Sequence, residues 1–243
     1  LAEIGIPDGV EVIQPRAFYR CTGLSAISLP NSLTSLGSRV FEECVELDSI
    51  VIPENITILP AYCFYRCEDL ESVILPDGLA AIEERAFQYC ERLPSIAIPD
   101  GVARIGAYAF QSCERILEIA IPGSVTSIGT RAFQYCERLP SIVLPESLDS
   151  IPTYAFYGCI RLSSITLRGT APSVGEAAFA QVPGGGSAYV FEQFASSYGG
   201  AGSSWQGFTV QALSGFQTIA ASILLGEGEV AGTGSYEAGT TVT

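Results

Sequence analysis

The sequence contains no histidine, no lysine and no methionine, and it has a single tryptophan. Without an imidazole there is no histidine base, no Ser-His-Asp triad, no Cys-His nucleophile and no histidine-bound metal. Without lysine there is no Schiff base and no P-loop lysine. Charge is scarce as well: 16% of the 243 residues are charged, against roughly 25% in an ordinary globular protein. All twelve cations are arginine, 26 residues are acidic, and the net charge is −14. That balance argues against nucleic acid or an anionic membrane as a partner, because phosphates call for a basic face. No apolar run is long enough to cross a bilayer. The longest, Ile219 to Leu225, is seven residues broken by Ser222, far below the ~18 that a span needs. Any catalysis would rest on carboxylates, tyrosines or bare cysteines, so an enzyme is a poor first hypothesis.

What is present is apolar and periodic. Hydrophobic residues make up 48% of the chain and the mean hydropathy is +0.34, which excludes a disordered polymer. Cys21, Cys44, Cys67, Cys90, Cys113, Cys136 and Cys159 are each 23 residues apart, and only Cys63 is out of step. Phenylalanine keeps the same period from Phe18 to Phe179, and proline from Pro7 to Pro145. In the second copy the unit reads Leu24-x-x-Ile27-x-Leu29-Pro30-x-x-Leu33-x-x-Leu36-x-x-x-Val40-Phe41-x-x-Cys44. A fixed period of 20–30 residues with leucine at set offsets is a solenoid of leucine-rich type. The Leu-x-x-Ile-x-Leu stretch alternates at its end and predicts a short parallel strand with Ile27 and Leu29 inward. Pro30 lacks an N–H and ends the pairing. Asn31-Ser32, Asp77-Gly78 and Asp100-Gly101 then turn the chain. Leu33 and Leu36 lead it back along the opposite side.

The pattern resembles the BspA-like leucine-rich repeats, the 23-residue class of bacterial surface proteins. The resemblance covers residues 1–183, and 81–98 is almost the same sequence as 127–144. The last copy has Arg168 in place of proline and Val182 in place of cysteine, so the solenoid is expected to end at 183. The resulting expectation is an α/β-type repeat solenoid. Its leucine-rich arc has a short-stranded parallel concave sheet, an irregular or short-helical convex side and a C-terminal cap. Residues 184–213 resemble the family's terminal cap: a strand, a short helix containing Tyr198, and Trp205-x-x-Phe208, with Trp205 in a packing role. Residues 214–243 read as a truncated β-rich segment. Gly234, Tyr236, Gly239 and Val242 resemble the start of an internalin-type bacterial β-repeat module. The chain is therefore expected to be a piece of a longer protein, and the absence of a signal peptide carries no information.

Side chains in one column of a solenoid point the same way, whereas a disulfide needs converging Cβ vectors. All eight cysteines are thus expected as buried free thiols, with no disulfide, metal or cofactor. Cys63 takes the offset of Ala17, Val40, Ala86, Ala109, Ala132 and Ala155, as a small core residue. Arg16, Arg39, Tyr62, Arg85, Tyr108, Arg131 and Tyr154 form a column read as guanidinium–phenol stacking. Glu91-Arg92, Glu114-Arg115 and Glu137-Arg138 read as a solvated ion-pair ladder. Glu42, Glu43, Glu46, Asp48, Glu68, Asp69, Glu71 and Glu91 read as an uncompensated acidic cluster. The convex side, Gln111 included, reads as well solvated.

The outward strand positions are the candidate site. One column gives Ser49, Ser72, Ser95, Glu118 and Ser141; the other gives Val51, Ile74, Ala97, Ala120 and Val143. A small, partly apolar, nearly uncharged face is unusual for solvent. It reads as a contact surface with Glu68, Asp69 and Glu71 as its rim, the alternative being small residues required where side chains crowd on a curved inner face. The resemblance implies a non-catalytic, extracellular module, on the bacterial surface or secreted, that binds a protein or glycan without inserting into a membrane. A structural spacer is the alternative, and a hydrolase built on the acidic edge a remote one.

Overall fold

The computed structural model describes residues 2–214; Gly234, Tyr236, Gly239 and Val242, the residues of the expected β-repeat module, lie outside them. Each 23-residue unit makes one coil with three sides. The first side carries parallel strands, Glu3–Gly5, Ala26–Ser28, Ser49–Val51 and Ser72–Ile74, then Ser95–Ala97, Glu118–Ala120, Ser141–Leu144 and Ser164–Leu167. Their register steps by one repeat, placing Ile96 opposite Ile119 and Ile142 opposite Ile165. The strands end before the repeat proline. Where Arg168 replaces it, the restored N–H donates to Leu144 O and the pairing runs on.

The second side is a ladder of two-residue strands that the leucine spacing did not reveal as strands. Ser35–Leu36 and Arg104–Ile105 are examples, the second residue of each buried. A leucine every third residue fixes which side chains go inward, but two residues are too few to show a strand period.

The third side overturns the α/β expectation and, of the two convex flanks expected, irregular or short-helical, it is the irregular one. Among the described residues the one helix is the short 3-10 turn Glu192–Tyr198. The rest of this side is a chain of overlapping turns. Ala17 N–H donates to Gln14 O, Tyr19 to Arg16 and Cys21 to Phe18. The alternate N–H groups of Arg16, Phe18 and Arg20 donate to Ser38, Val40 and Glu42 of the next coil. Two residues per coil take the left-handed conformation, Arg39 (φ 61) and Glu43 (φ 60) in the second coil, Tyr62 and Arg66 in the third. A helix cannot contain them. A left-handed side-chain residue costs about 1 kcal/mol, and the inter-coil bonds hold it there.

The interior is built of columns. Phenylalanine rings from Phe18 to Phe179 stack at 5.2–5.5 Å between centroids, all within 19° of parallel. The cysteines do more than fill space. Each thiol from Cys44 to Cys159 in the regular column donates to the phenylalanine carbonyl of the preceding coil, Cys67 to Phe41 O at 3.1 Å for example. That carbonyl already accepts a turn N–H, so both its lone pairs are used. Cys63 stands outside this ladder. All eight cysteines are free; seven are buried and Cys21, at the first coil, is only half-buried, which corrects the expectation that every one is.

Two prolines weaken the first sheet, and the first of them divides it. Glu71 N–H donates to Asp48 O, but its counterparts Pro94 and Pro140 have no N–H to give. The ladder is broken between Ser72–Ile74 and Ser95–Ala97, and between Glu118–Ala120 and Ser141–Leu144 only Ala120 pairs, with Val143. Beyond the eighth coil, Ser187–Phe191 still joins in register, Ser164 opposite Ser187, and Phe208–Leu213 pairs with it in parallel. Trp205 and Phe208 meet Phe179 edge-on and close the phenylalanine stack. Tyr198 O–H donates to Gly169 O, pinning the 3-10 turn.

Phe110, fully buried with a ring on each side, should lose about 3–5 kcal/mol on truncation to alanine. Phe18, half-buried with one stacked neighbour, should lose distinctly less. Equal losses in denaturant unfolding would contradict this placement.

Candidate functional site

The outward strand positions lie as the sequence columns place them. Ser49 pairs with Ser72 and Val51 with Ile74; Ser95 pairs with Glu118 and Ala97 with Ala120. Ser49, Ser72, Ser95, Glu118, Ala97 and Ala120 are exposed, while Ser141 and Val143 are half-buried. Val51 and Ile74 are 57% and 58% exposed, the most exposed large apolar side chains among the described residues. The floor between them is shallow. A depression of about 400 Å³ is lined by Ala26, Ser28, Ser49, Val51, Ser72 and Ile74, together with Ile27, Leu29 and Ile50. A neighbouring one of about 460 Å³ runs over Glu3–Gly5 and Ala26–Ser28. Ala26 and Ser28 thus belong to the candidate surface, which the sequence-based expectation began only at Ser49. Their membership of the same two columns was the signal. At the other end the columns pass into Thr166, Tyr189 and Gln211, and the small-residue face stops at the Tyr189 ring.

The rim differs from an open acidic cluster. Asp69 is ion-paired with Arg92 at 3.2 Å, Glu42 with Arg39 and Glu43 with Arg20, each at 2.8 Å. Glu42 is buried in its pair. The cluster expected to be uncompensated is therefore partly compensated, by arginines a neighbouring coil or three residues away. Glu71 is exposed and Glu68 and Asp69 half-buried along one edge of the sheet.

The Glu91/Glu114/Glu137 column is not a neutralised ladder. Arg92 pairs across to Asp69, and among the described residues no ion pair joins Glu114 or Glu137 to Arg115 or Arg138. Partial burial pushes the Glu114 carboxyl up, and the like charges of Glu91 and Glu137 push it further.

On the turn side, Arg39 lies 3.9 Å over the Tyr62 ring. Arg85 sits between Tyr62 and Tyr108, and Arg131 between Tyr108 and Tyr154. Guanidinium and phenol alternate as the column predicts. Gln111, however, is buried. Gln88 donates its side-chain amide to Gln111, and Gln111 to Gln134, in a ladder across three coils. Glutamine reads as polar in sequence, and only the stacking of three copies reveals a self-satisfied column. Replacing Gln111 by alanine leaves the Gln88 donor and the Gln134 acceptor unpaired and should cost about 1–3 kcal/mol in unfolding free energy.

The seven buried thiols are held in their protonated form. Burial pushes Cys44 and Cys159 up to about 12 and the other buried cysteines well upward too. A thiolate is the nucleophile, so alkylation of the native chain at pH 8 should label Cys21 at most, and unfolding should expose all eight. Sulfhydryls of the unfolded chain titrate near their ordinary value of 9.0. Between there and about 12 the buried thiols lose protons only in the unfolded state, so their contribution to stability is fully present below pH 9 and is lost as the pH rises above it. Mass-counted alkylation and unfolding at stepped pH check both statements.

The repeat pattern described as BspA type leucine rich repeat region, in six copies, matches residues 1–116 and 57–184. The chain belongs to that family, whose members are leucine-rich, non-enzymatic proteins associated with surface binding or adhesion. Among solved structures it is similar to a leucine-rich repeat protein of Bacteroides ovatus, with 26% identity and a TM-score of 0.68 over 88% of this chain and 57% of that one. It is similar also to the T. pallidum leucine rich repeat protein, at 29% identity and a TM-score of 0.54, covering 75% of this chain and 78% of that one. The pneumococcal vaccine antigen PcpA shares the fold at 19% identity, TM-score 0.60, over 88% of this chain and 68% of that one. No curated protein matches the chain. Among the described residues no helix is long and apolar enough to cross a membrane.

Proposed function

We propose that this chain is a non-catalytic binding module of the bacterial cell surface, displayed or secreted, that holds a protein or glycan ligand on the outer face of its first sheet. One observation carries the reading. Val51 and Ile74 stand side by side, more than half exposed, in a shallow depression otherwise lined by Ala26, Ser28, Ser49 and Ser72 together with Ile27, Leu29 and Ile50. An apolar centre kept open to solvent costs hydration free energy that contact with a ligand recovers. No long side chain of the depression's lining stands in the way, and the Glu68, Asp69 and Glu71 edge supplies the polar rim that interfaces of this kind have. The family's association with surface binding agrees with this use.

The test is binding of the chain to immobilised host matrix proteins and to epithelial cells. Ile74→Arg places a long charged side chain in the centre of the depression, and Ala97→Arg places one two coils along from Val51. Both positions point outward, so the melting temperature should stay within about two degrees of the wild type. Ile74→Arg should abolish binding and Ala97→Arg should weaken it. Ser127→Arg, exposed on the second side, should do neither. A structural spacer, the rival use of such a rod, predicts that none of the three matters. Loss of binding with Ser127→Arg and retention with Ile74→Arg would move the site off the first sheet.

A further inference from the structure

We propose that the turn side is a second binding surface, independent of the first sheet, for a linear acidic polysaccharide bearing carboxylate or sulfate groups. The side gathers eight of the eleven tyrosines and six of the twelve arginines, against four carboxylates. It therefore carries a surplus of two positive charges on a chain whose net charge is −14. Three of those arginines are spoken for: Arg20, Arg39 and Arg85 are each ion-paired with a glutamate. Arg16, Arg66 and Arg131 have no carboxylate at ion-pair distance among the described residues and lie against phenol rings instead. Arg66 sits 5.3 Å over Tyr89, and Arg131 4.8 Å over Tyr154 while donating to the Tyr108 hydroxyl at 2.7 Å.

A ring against its face leaves a guanidinium's N–H groups in their own plane, where a carboxylate or sulfate accepts two at once. The backbone beneath is locked by the inter-coil bonds, with Arg66 and Arg131 both left-handed (φ 58 and 59). Little backbone freedom remains to be lost on binding.

The chemistry favours a glycan over an acidic protein for two reasons. The three guanidiniums without a carboxylate lie in the first, third and sixth coils, spread along the axis rather than gathered at one spot, which suits an extended polymer with acidic groups along its length. Tyrosine and arginine are residues that protein interfaces favour, but of the eight tyrosines here only Tyr19 is exposed; the other seven are half-buried among their neighbours and cannot reach into a partner's pocket as anchors do. The bulk charge of the chain repels a polyanion, and that makes the test discriminating. Attraction has to come from the local surface, within a Debye length of ~8 Å at physiological salt.

Heparin (sulfate and carboxylate) and hyaluronate (carboxylate alone) are the probes, titrated calorimetrically into the full chain at near-physiological ionic strength. At least one should bind, and the pair distinguishes sulfate from carboxylate recognition. Arg66→Gln combined with Arg131→Gln should weaken that binding by about tenfold or more, the loss of charge-assisted hydrogen bonds. Arg115→Gln with Arg138→Gln, two exposed arginines off this side, should change it by less than about twofold. Ile74→Arg should leave it unchanged, which separates this surface from the first-sheet site. Should the Arg131 substitution lower the melting temperature, Arg66→Gln alone, at an exposed side chain, carries the test with a smaller loss in the same direction. The proposal is overturned if neither polysaccharide binds, or if the Arg115/Arg138 pair matters as much as Arg66/Arg131. Polyglutamate binding as tightly as both would overturn it too, by assigning the surface to an acidic peptide.

Discussion

The structure depends on the hydrogen bonds that alternate N–H groups of the turn side give to the next coil. Each coil spends one set of N–H groups on its own turns and the other set on its neighbour, from Arg16, Phe18 and Arg20 to Tyr154, Phe156 and Gly158. Arginine, tyrosine, glutamate and serine sit at positive φ because the neighbouring carbonyls are in place to receive them. An isolated unit would have no reason to adopt that backbone. Stacking thus supplies the local conformation as well as the buried area, and the repeats stand or fall together.

A fixed period turns every side-chain choice into a column, and a column multiplies whatever a single residue does. Phenylalanine multiplies offset stacking. Cysteine multiplies a thiol-to-carbonyl bond that alanine could not make and serine would make only with a more strongly hydrated hydroxyl. Glutamine is self-complementary, donor above acceptor, so it survives burial from Gln88 to Gln134. Glutamate is not, and Glu114 between Glu91 and Glu137 bears the repulsion. Arginine avoids the same fate where tyrosine alternates with it.

The two outer surfaces owe their character to different parts of the repeat. The first sheet is smooth because serine, alanine and valine fill its outward positions, and its continuity is set by where an N–H is missing, at Pro94 and Pro140. The depression lies on three of the four strands before the break at Pro94, with Leu29 just beyond the end of one of them. The turn side is rough, cationic and aromatic because its left-handed residues carry arginine and tyrosine. A binding role for the one surface and a second for the other therefore make separate demands on the sequence.

Much of this architecture was legible in the residue spacing. The 23-residue period, the inward phenylalanine and cysteine, the strand ended by proline and the outward Ser72/Ile74 pair all follow from it, because periodicity alone decides which side of a repeating chain is inside. What spacing did not decide was backbone conformation between the leucines. The turn side carries good helix formers such as Arg85 and Ala86, and nothing local forbids a helix there. Only the carbonyls of an adjacent coil make the left-handed turns cheaper than one. The burial of Gln111, the pairing of Asp69 with Arg92 and the two-residue second strands have the same origin. Each is an interaction between residues about one repeat apart, absent from any single unit and created by the stacking.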